Sequence, residues 1–297
     1  MSPSPRQTGE AAAPARTGTA PRSASRQTEM IVRMLSGAVL AVASIALVWG
    51  GTVWFAALVS LLAGIVAWEW GRMVRGFNFD GTMIIHVAAM PAAGGLTAAG
   101  LTLPAIIVLV VAALVIAVLS LRSLDRLSAT GVLYVGLPLV ALVWLRADEP
   151  DGLALIVFLF AVVWATDIFA FLVGRLVGGP RLWVRVSPGK TWSGALGGLV
   201  AAILAGLASG AALGGRPGWA MAAVAALLSI AAQAGDLLES ALKRHSGVKD
   251  SSAIIPGHGG MFDRVDGLMA AAVVAALLAI LIEPWRPGLA LLGGGGG

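Results

Sequence analysis

The sequence predicts an all-α, polytopic integral membrane protein with about nine transmembrane helices and its N-terminus in the cytoplasm. Three observations lead there. Only 12% of the 297 residues are charged while 58% are hydrophobic, and mean hydropathy is +0.91. No soluble globule of this length carries that balance. Apolar runs of roughly 17 to 25 residues, enough to cross the hydrocarbon core as helix, recur along the chain. Lysines and arginines are distributed unevenly around those runs, as membrane topology requires.

Residues 1–29 are rich in Ser, Thr, Pro, Ala and Arg and lack the apolar core and cleavage site of a secretory signal, so a disordered N-terminal tail is expected. Residues 30–151 then hold the N-terminal transmembrane helices, at Ile31 to Gly50, Thr52 to Trp70, Thr82 to Ala99, Leu101 to Leu121 and Thr130 to Leu145. The first four form two tight hairpins turning at Gly50-Gly51 and near Gly100. Fusing either pair would make a helix of roughly 60 Å against a hydrocarbon core of about 30 Å. Residues 152–284 form the region expected to be catalytic, with spans at Gly152 to Val173, Gly194 to Leu213, Pro217 to Gly235 and Gly267 to Ile282. Residues 285–297, ending in five glycines, read as a flexible C-terminal tail. The absence of cysteine excludes disulfides, thiolate metal sites and a cysteine nucleophile.

Nine crossings place all but three of the 20 lysines and arginines on the side of the N-terminus, with Arg146, Arg216 and Arg286 opposite. That side is therefore expected to be cytoplasmic. Topology alone accounts for Arg72, Arg75, Arg122 and Arg126. The segments Gly174 to Ser193 and Asp236 to Asp266 fall on the same face, and their composition asks for more.

Asp236, Glu239, Ser240 and Lys243 follow i, i+3, i+4, i+7 spacing, so they share a face if the eighth span continues as helix beyond the membrane surface. Asp263 and Asp266 repeat the i, i+3 spacing at the start of the ninth span. Paired carboxylates on adjacent helix ends suit a hard divalent cation, magnesium above all, that keeps positions open for phosphate. Between them Pro256-Gly257-His258-Gly259-Gly260 forms a turn able to expose backbone N–H groups to phosphate oxygens. Lys243, Arg244, Lys249 and Arg264 add positive charge. The plainer explanation, surface charges neutralising one another, fits each residue singly but not the whole set.

Asp167 lies within the sixth span, roughly 10 Å below its cytoplasmic end. An uncompensated charge there costs about 2.5 to 3.5 kcal/mol. The polar face of that helix continues through Phe171, Gly174 and Arg175. Next comes Val186-Ser187-Pro188-Gly189-Lys190-Thr191-Trp192-Ser193-Gly194, which has the tail of a P-loop but not its first glycine, since Val184 stands there. A lysine and hydroxyls at a helix start can still bind phosphate, and a plain polar cap is the competing explanation for Ser187 and Thr191.

The run Ser240-x-Leu242-Lys243-Arg244, Lys249-Asp250, Pro256-x-His258-Gly259-Gly260-Met261-x-Asp263-Arg264-Val265-Asp266 resembles, without a gap, the signature of the phosphatidate cytidylyltransferases, also called CDP-diacylglycerol synthases. Gly235-Asp236-Leu237-Leu238-Glu239-Ser240 resembles the entry to that signature, Ser187-Pro188-Gly189-Lys190-Thr191-Trp192 its serine-proline-lysine-threonine segment, and Thr166-Asp167 to Gly174-Arg175 its aspartate-bearing helix. The matched region runs from about Trp164 to Leu268. One departure is Ser193, where many members carry glutamate.

The resemblance implies that the phosphate of phosphatidate attacks the α-phosphorus of CTP, giving CDP-diacylglycerol and pyrophosphate at a bacterial-type inner membrane. It implies magnesium held by Asp236 and Asp263, with a second, monovalent cation close by. The catalytic set would be Lys243, Arg244, Lys249, Asp250, His258, Arg264 and Asp266. Of these the cations, together with Lys190, grip phosphates, while Asp250, His258 and Asp266 orient the site. Substrate binding would fall to Asp167, Arg175, Ser187, Lys190, Thr191, Glu239, Ser240, Gly259 and Gly260. His258 is either an acid for departing pyrophosphate or a satisfied loop histidine; His86 and His245 are expected to take no part. The implied partners are CTP, phosphatidate, the lipid bilayer and a second copy of the chain, with no nucleic acid. Alternatives are a related enzyme acting on another lipid, such as a CDP-archaeol synthase or a CTP-dependent lipid kinase, then a transporter or a noncatalytic membrane protein. Against the transporter stand the ionisable residues gathered at one membrane face and the lack of paired interrupted helices.

Overall fold

The computed structural model describes residues 49–76, 80–121, 126–248, 250–252, 254 and 259–293. Among them are eight helices long and apolar enough to cross a membrane. These are α1 Thr52–Arg75, α2 Gly81–Ala98, α3 Thr102–Leu119, α4 Arg126–Arg146, α5 Gly152–Val177, α6 Trp192–Ala212, α7 Trp219–His245 and α8 Phe262–Ile282. A two-stranded antiparallel hairpin, β1 Arg181–Trp183 and β2 Ser187–Thr191, joins α5 to α6. The chain ends in a short helix, α9 Pro287–Leu292. The protein is thus an all-α multi-pass membrane protein. The span expected at Ile31 to Gly50 lies outside the described residues except for Trp49 and Gly50.

The helices form because apolar residues with few breakers fill runs of 18 to 27 residues, and in lipid only a helix satisfies its own backbone. Their outward faces stay apolar: Leu103, Ile107, Leu114 and Val118 of α3 are all exposed. Water would penalise such a surface, whereas hydrocarbon solvates it. Association therefore relies on close packing through small residues. On α6, Gly194, Gly198, Ala202, Gly206 and Gly210 form one buried stripe at every fourth position. A Cβ at Gly194 would stand 2.6 Å from the Ala170 carbonyl oxygen of α5, and one at Gly198 2.7 Å from that of Thr166.

The first half packs α1 to α4 around Phe55, Trp70, Met90, Leu109 and Ile116. Between α1 and α2, Gly76 takes a left-handed conformation and Asp80 caps α2 by accepting from Met83 N at 2.7 Å. Arg75 Nε lies 3.0 Å from the Asp80 carboxylate. Burial opposes ionisation of Asp80, but the Met83 N–H, the Thr82 hydroxyl and the Arg75 guanidinium outweigh it and hold this carboxyl below its ordinary range. His86 is buried within this half.

The C-terminal segment departs from the flexible tail expected for residues 285–297. Pro287 opens α9, Gly293 closes it at φ 61°, and Leu291 and Leu292 are 3% exposed. Gly288 N donates to Asp148 Oδ2 at 2.6 Å and Arg216 N to the Leu292 carbonyl at 3.0 Å. Leucines free to bury, together with carboxylate and carbonyl acceptors, fasten the segment across two loops. The final four glycines lie outside the described residues.

Alternation of the helices brings the end of α5, the hairpin, the end of α7 and the start of α8 to one end of the bundle, where the two polar segments meet.

Candidate active site

Helix α7 runs on past Gly235 to His245, which meets the condition for a shared face. Asp236, Glu239 and Lys243 line a cavity of about 820 Å³, within the roughly 300–1,000 Å³ typical of small-molecule sites. Ser240 is not part of its lining; it falls about 40° beyond Asp236 on the far side from Glu239.

Glycines beside the aspartates set the approach of α7 to α8. A Cβ on Gly235 would sit 2.6 Å from Ala270 Cβ and 2.8 Å from the Asp266 carbonyl oxygen. Gly267 faces Ala232 across the interface less tightly, with a notional Cβ 3.3 Å from its carbonyl oxygen. Asp236 thus follows, and Asp266 precedes, a glycine that lets the two backbones approach closely.

The result is a cluster in which one carboxylate oxygen each from Asp236, Glu239 and Asp266 lies within 4.8 Å of the others. Lysines border it. Lys190 Nζ lies 2.5 Å from Asp236 Oδ2. Lys243 Nζ lies 2.8 Å from Glu239 Oε1 and 2.6 Å from Asp263 Oδ1. The Glu239 contact is one of charge without hydrogen-bond geometry, so that buried oxygen retains unused acceptor capacity. Oxygen-only donors suit a hard divalent cation such as magnesium, around which these carboxylates would draw closer together.

Asp263 lines the same cavity but is engaged differently from the pairing with Asp236 expected from the resemblance. Its Oδ2 accepts from Gly260 N at 3.0 Å, Ser251 Oγ at 3.2 Å and Ser251 N at 3.3 Å, while Oδ1 faces Lys243. Here Asp263 orients a lysine and a loop, and Asp236 shares its cluster with Glu239 and Asp266. The physical reason is that Lys243 lies between Asp263 and Glu239 of the cluster and occupies the Asp263 oxygen that faces it.

Asp167, Arg175, Ser187, Lys190, Thr191 and Arg264 also line the cavity. The Ser187–Thr191 segment is a strand that leads directly into the start of α6, with Thr191 as its N-cap, and it carries Lys190 toward α7. Thr191 Oγ1 accepts from Gly194 N at 3.1 Å, so its hydroxyl caps α6. Ser193, at the departure from the resembled pattern, donates to the Gly178 carbonyl. A Cβ at Gly174 would approach Thr191 Oγ1 to 2.9 Å, which explains a glycine where α5 meets the hairpin.

Arg244 is exposed outside the cavity lining, its guanidinium donating to the Val248 carbonyl at 3.3 Å. Asp250 is likewise exposed. Gly259 adopts φ +82° and Gly260 supplies an N–H to Asp263, so both shape the loop. Lys249 and His258 lie outside the described residues. His245 is exposed at the end of α7.

Sequence reasoning missed Glu69. This carboxylate of α1 is fully buried and accepts from Met261 N at 2.9 Å, Phe262 N at 2.7 Å, Ser251 Oγ at 3.3 Å and Ser252 Oγ. A Cβ at Gly260 would collide with Ser251 Oγ and Glu69 Oε1. The signal was available: Glu69 is the sole acidic residue of an apolar span, the same criterion that singled out Asp167.

Comparison with known proteins adds independent information. The model of the cytidylyltransferase family matches residues 31–282. The chain is 52% identical over 160 residues to a protein of Brucella suis named phosphatidate cytidylyltransferase, covering 54% of this chain and 59% of that relative. A protein of the same name from Staphylococcus haemolyticus is 42% identical over 152 residues, covering 51% of this chain and 56% of that relative. The chain thus spans a little over half the length of these relatives.

Proposed function

We propose that this chain, which belongs to the cytidylyltransferase family, transfers the cytidylyl group of CTP to phosphatidate, releasing pyrophosphate and leaving CDP-diacylglycerol in the bilayer. The observation that carries this reading is the meeting, in one cavity at one end of a membrane bundle, of three clustered carboxylates with Lys190 and Lys243.

The reaction forms a bond between a phosphatidate phosphate oxygen and the α-phosphorus of CTP, and breaks the bond from that phosphorus to the bridging oxygen of pyrophosphate. A phosphate monoester is already ionised near neutral pH and needs no strong base. What the protein must supply is positioning and positive charge. Asp236, Glu239 and Asp266 would hold magnesium, with Asp263 available as a further ligand once Lys243 leaves its Oδ1. Bound magnesium would offset charge on the phosphate oxygens. Lys190 and Lys243, released from their carboxylates, turn to the phosphates. Arg264 and Arg175 extend the positive lining. The hydroxyl of Thr191 keeps the hairpin seated so that Lys190 reaches the cluster. A second, monovalent cation beside the same carboxylates belongs to this reading, as does a homodimer.

In this reading the site faces the cytoplasm from a bacterial inner membrane, so that CTP would reach it from water and phosphatidate from the inner leaflet. The excess of lysine and arginine at this end of the bundle supports that orientation. The test is purified protein incubated with radiolabelled CTP, phosphatidate and magnesium, followed by separation of lipid products. Labelled CDP-diacylglycerol is expected. Label on another lipid would reassign the acceptor, and none would remove the activity.

A further inference from the structure

We infer that Glu69 is a positioning residue for this site, acting from the first half of the chain through Ser251 on Asp263 and through the first turn of α8. The inference rests on reading the cavity as a nucleotidyl-transfer site.

A helix begins with N–H groups that have no partner inside it. At α8 no neighbouring side chain caps them. The carboxylate of Glu69, arriving from a different helix, receives Met261 N and Phe262 N instead, and negative charge is favoured at that end of the helix dipole. The buried charge is thereby compensated, and the start of α8 is fixed relative to α1. Apolar contacts reinforce the joint: the ring of Trp70 lies 5.9 Å from that of Phe262, and Tyr134 lies 5.8 Å from Phe262. Phe262 immediately precedes Asp263.

The second route runs through one hydroxyl. Ser251 Oγ lies 3.3 Å from Glu69 Oε2 and 3.2 Å from Asp263 Oδ2. A serine hydroxyl has a single proton to donate, so the two carboxylates compete for it. Ser251 is nonetheless held by both, since its backbone N–H also donates to Asp263 Oδ2 at 3.3 Å. Neutralising Glu69 or removing the hydroxyl therefore loosens the loop that sets Asp263 and Gly260.

The experiment compares Glu69→Gln, Ser251→Ala and the double variant with wild type in detergent, using hydrogen exchange of residues 250–262 and steady-state turnover. Glu69→Gln is expected to speed exchange at Met261 and Phe262 and to lower kcat about 10- to 100-fold, as loss of a supporting shell does. KM for CTP should stay within about threefold, because the contact is with Asp263 rather than nucleotide. Ser251→Ala should lower kcat as well, and the double variant should be no slower than Glu69→Gln, since residues acting along one path are not additive. Multiplying effects, unchanged exchange, or unchanged kcat in folded Glu69→Gln would overturn the inference. If Glu69→Gln does not accumulate, Ser251→Ala with wild-type kcat overturns it alone. Absence of any CTP-dependent product from wild type would instead defeat the proposed reaction, while the exchange comparison still decides whether Glu69 holds this segment.

Discussion

Lys243 stands between Glu239 and Asp263, its ammonium 2.8 Å from one carboxylate and 2.6 Å from the other. One cation therefore ties α7 to α8 while blocking the carboxylate expected to join Asp236 at a metal. Lys190 holds Asp236 in the same manner from the hairpin. In the proposed reaction both lysines would leave these positions to grip a triphosphate.

Replacing Lys190 by alanine is expected to lower kcat/KM for CTP about 100-fold, the usual loss when one preorganised positive group facing the reacting phosphates is removed. Initial rates over a CTP series check this. Wild-type kinetics would return β2 to a purely structural role.

The proposed reaction is expected to require magnesium. Turnover is expected to vanish with a chelator and return with magnesium, and Asp266→Asn should raise the magnesium concentration for half-maximal rate about tenfold or more. A magnesium titration of the wild type and this variant measures it. An unchanged midpoint would take Asp266 out of the metal set.

Gly235→Ala tests the close approach of α7 and α8. The added methyl meets Ala270 Cβ and the Asp266 backbone, which cannot yield by a side-chain rotation. Overpacking of this type costs about 1 to 3 kcal/mol. Thermal unfolding in detergent should show the loss, together with reduced turnover because Asp236 and Asp266 are forced apart.

Asp80 gives a pH prediction. Its folded carboxyl lies below the ordinary value of 3.8, so its contribution is fully present above that value and is lost as pH falls through and below it. Asp80→Ala, which removes the cap of α2, should cost about 1 kcal/mol at neutral pH. The difference in unfolding temperature between wild type and variant should shrink as the solution is acidified below 3.8. A constant difference would contradict the charge-based account of this cap.

Much of this was legible in the sequence, for identifiable reasons. Thr52 to Trp70 and Gly152 to Val173 start where α1 and α5 start because hydropathy over a bilayer's thickness is a long-range, additive signal. Asp236, Glu239 and Lys243 declared a shared face because helix periodicity fixes it. The pattern failed where partners are distant or elements short. Glu69 meets Met261 across 192 residues, which no local spacing encodes. Polar Ser187 to Thr191 carries no alternation that would mark a strand, and it pairs only because Arg181 to Trp183 folds against it. Pro287 to Leu292 is too short for a hydropathy window and owes its order to Asp148 and Arg216. The pairing of Asp263 with Lys243 depends on side-chain packing between two helices, which lies beyond sequence periodicity.

The most direct measurement of the central claim uses CTP labelled either at the α-phosphate or at the γ-phosphate, with phosphatidate-containing vesicles and magnesium, on wild type and Asp236→Asn. The account predicts that wild type moves the α-label into lipid and the γ-label into pyrophosphate, and that Asp236→Asn, folded, does neither. Transfer of the γ-label to lipid, or undiminished transfer by Asp236→Asn, would contradict it.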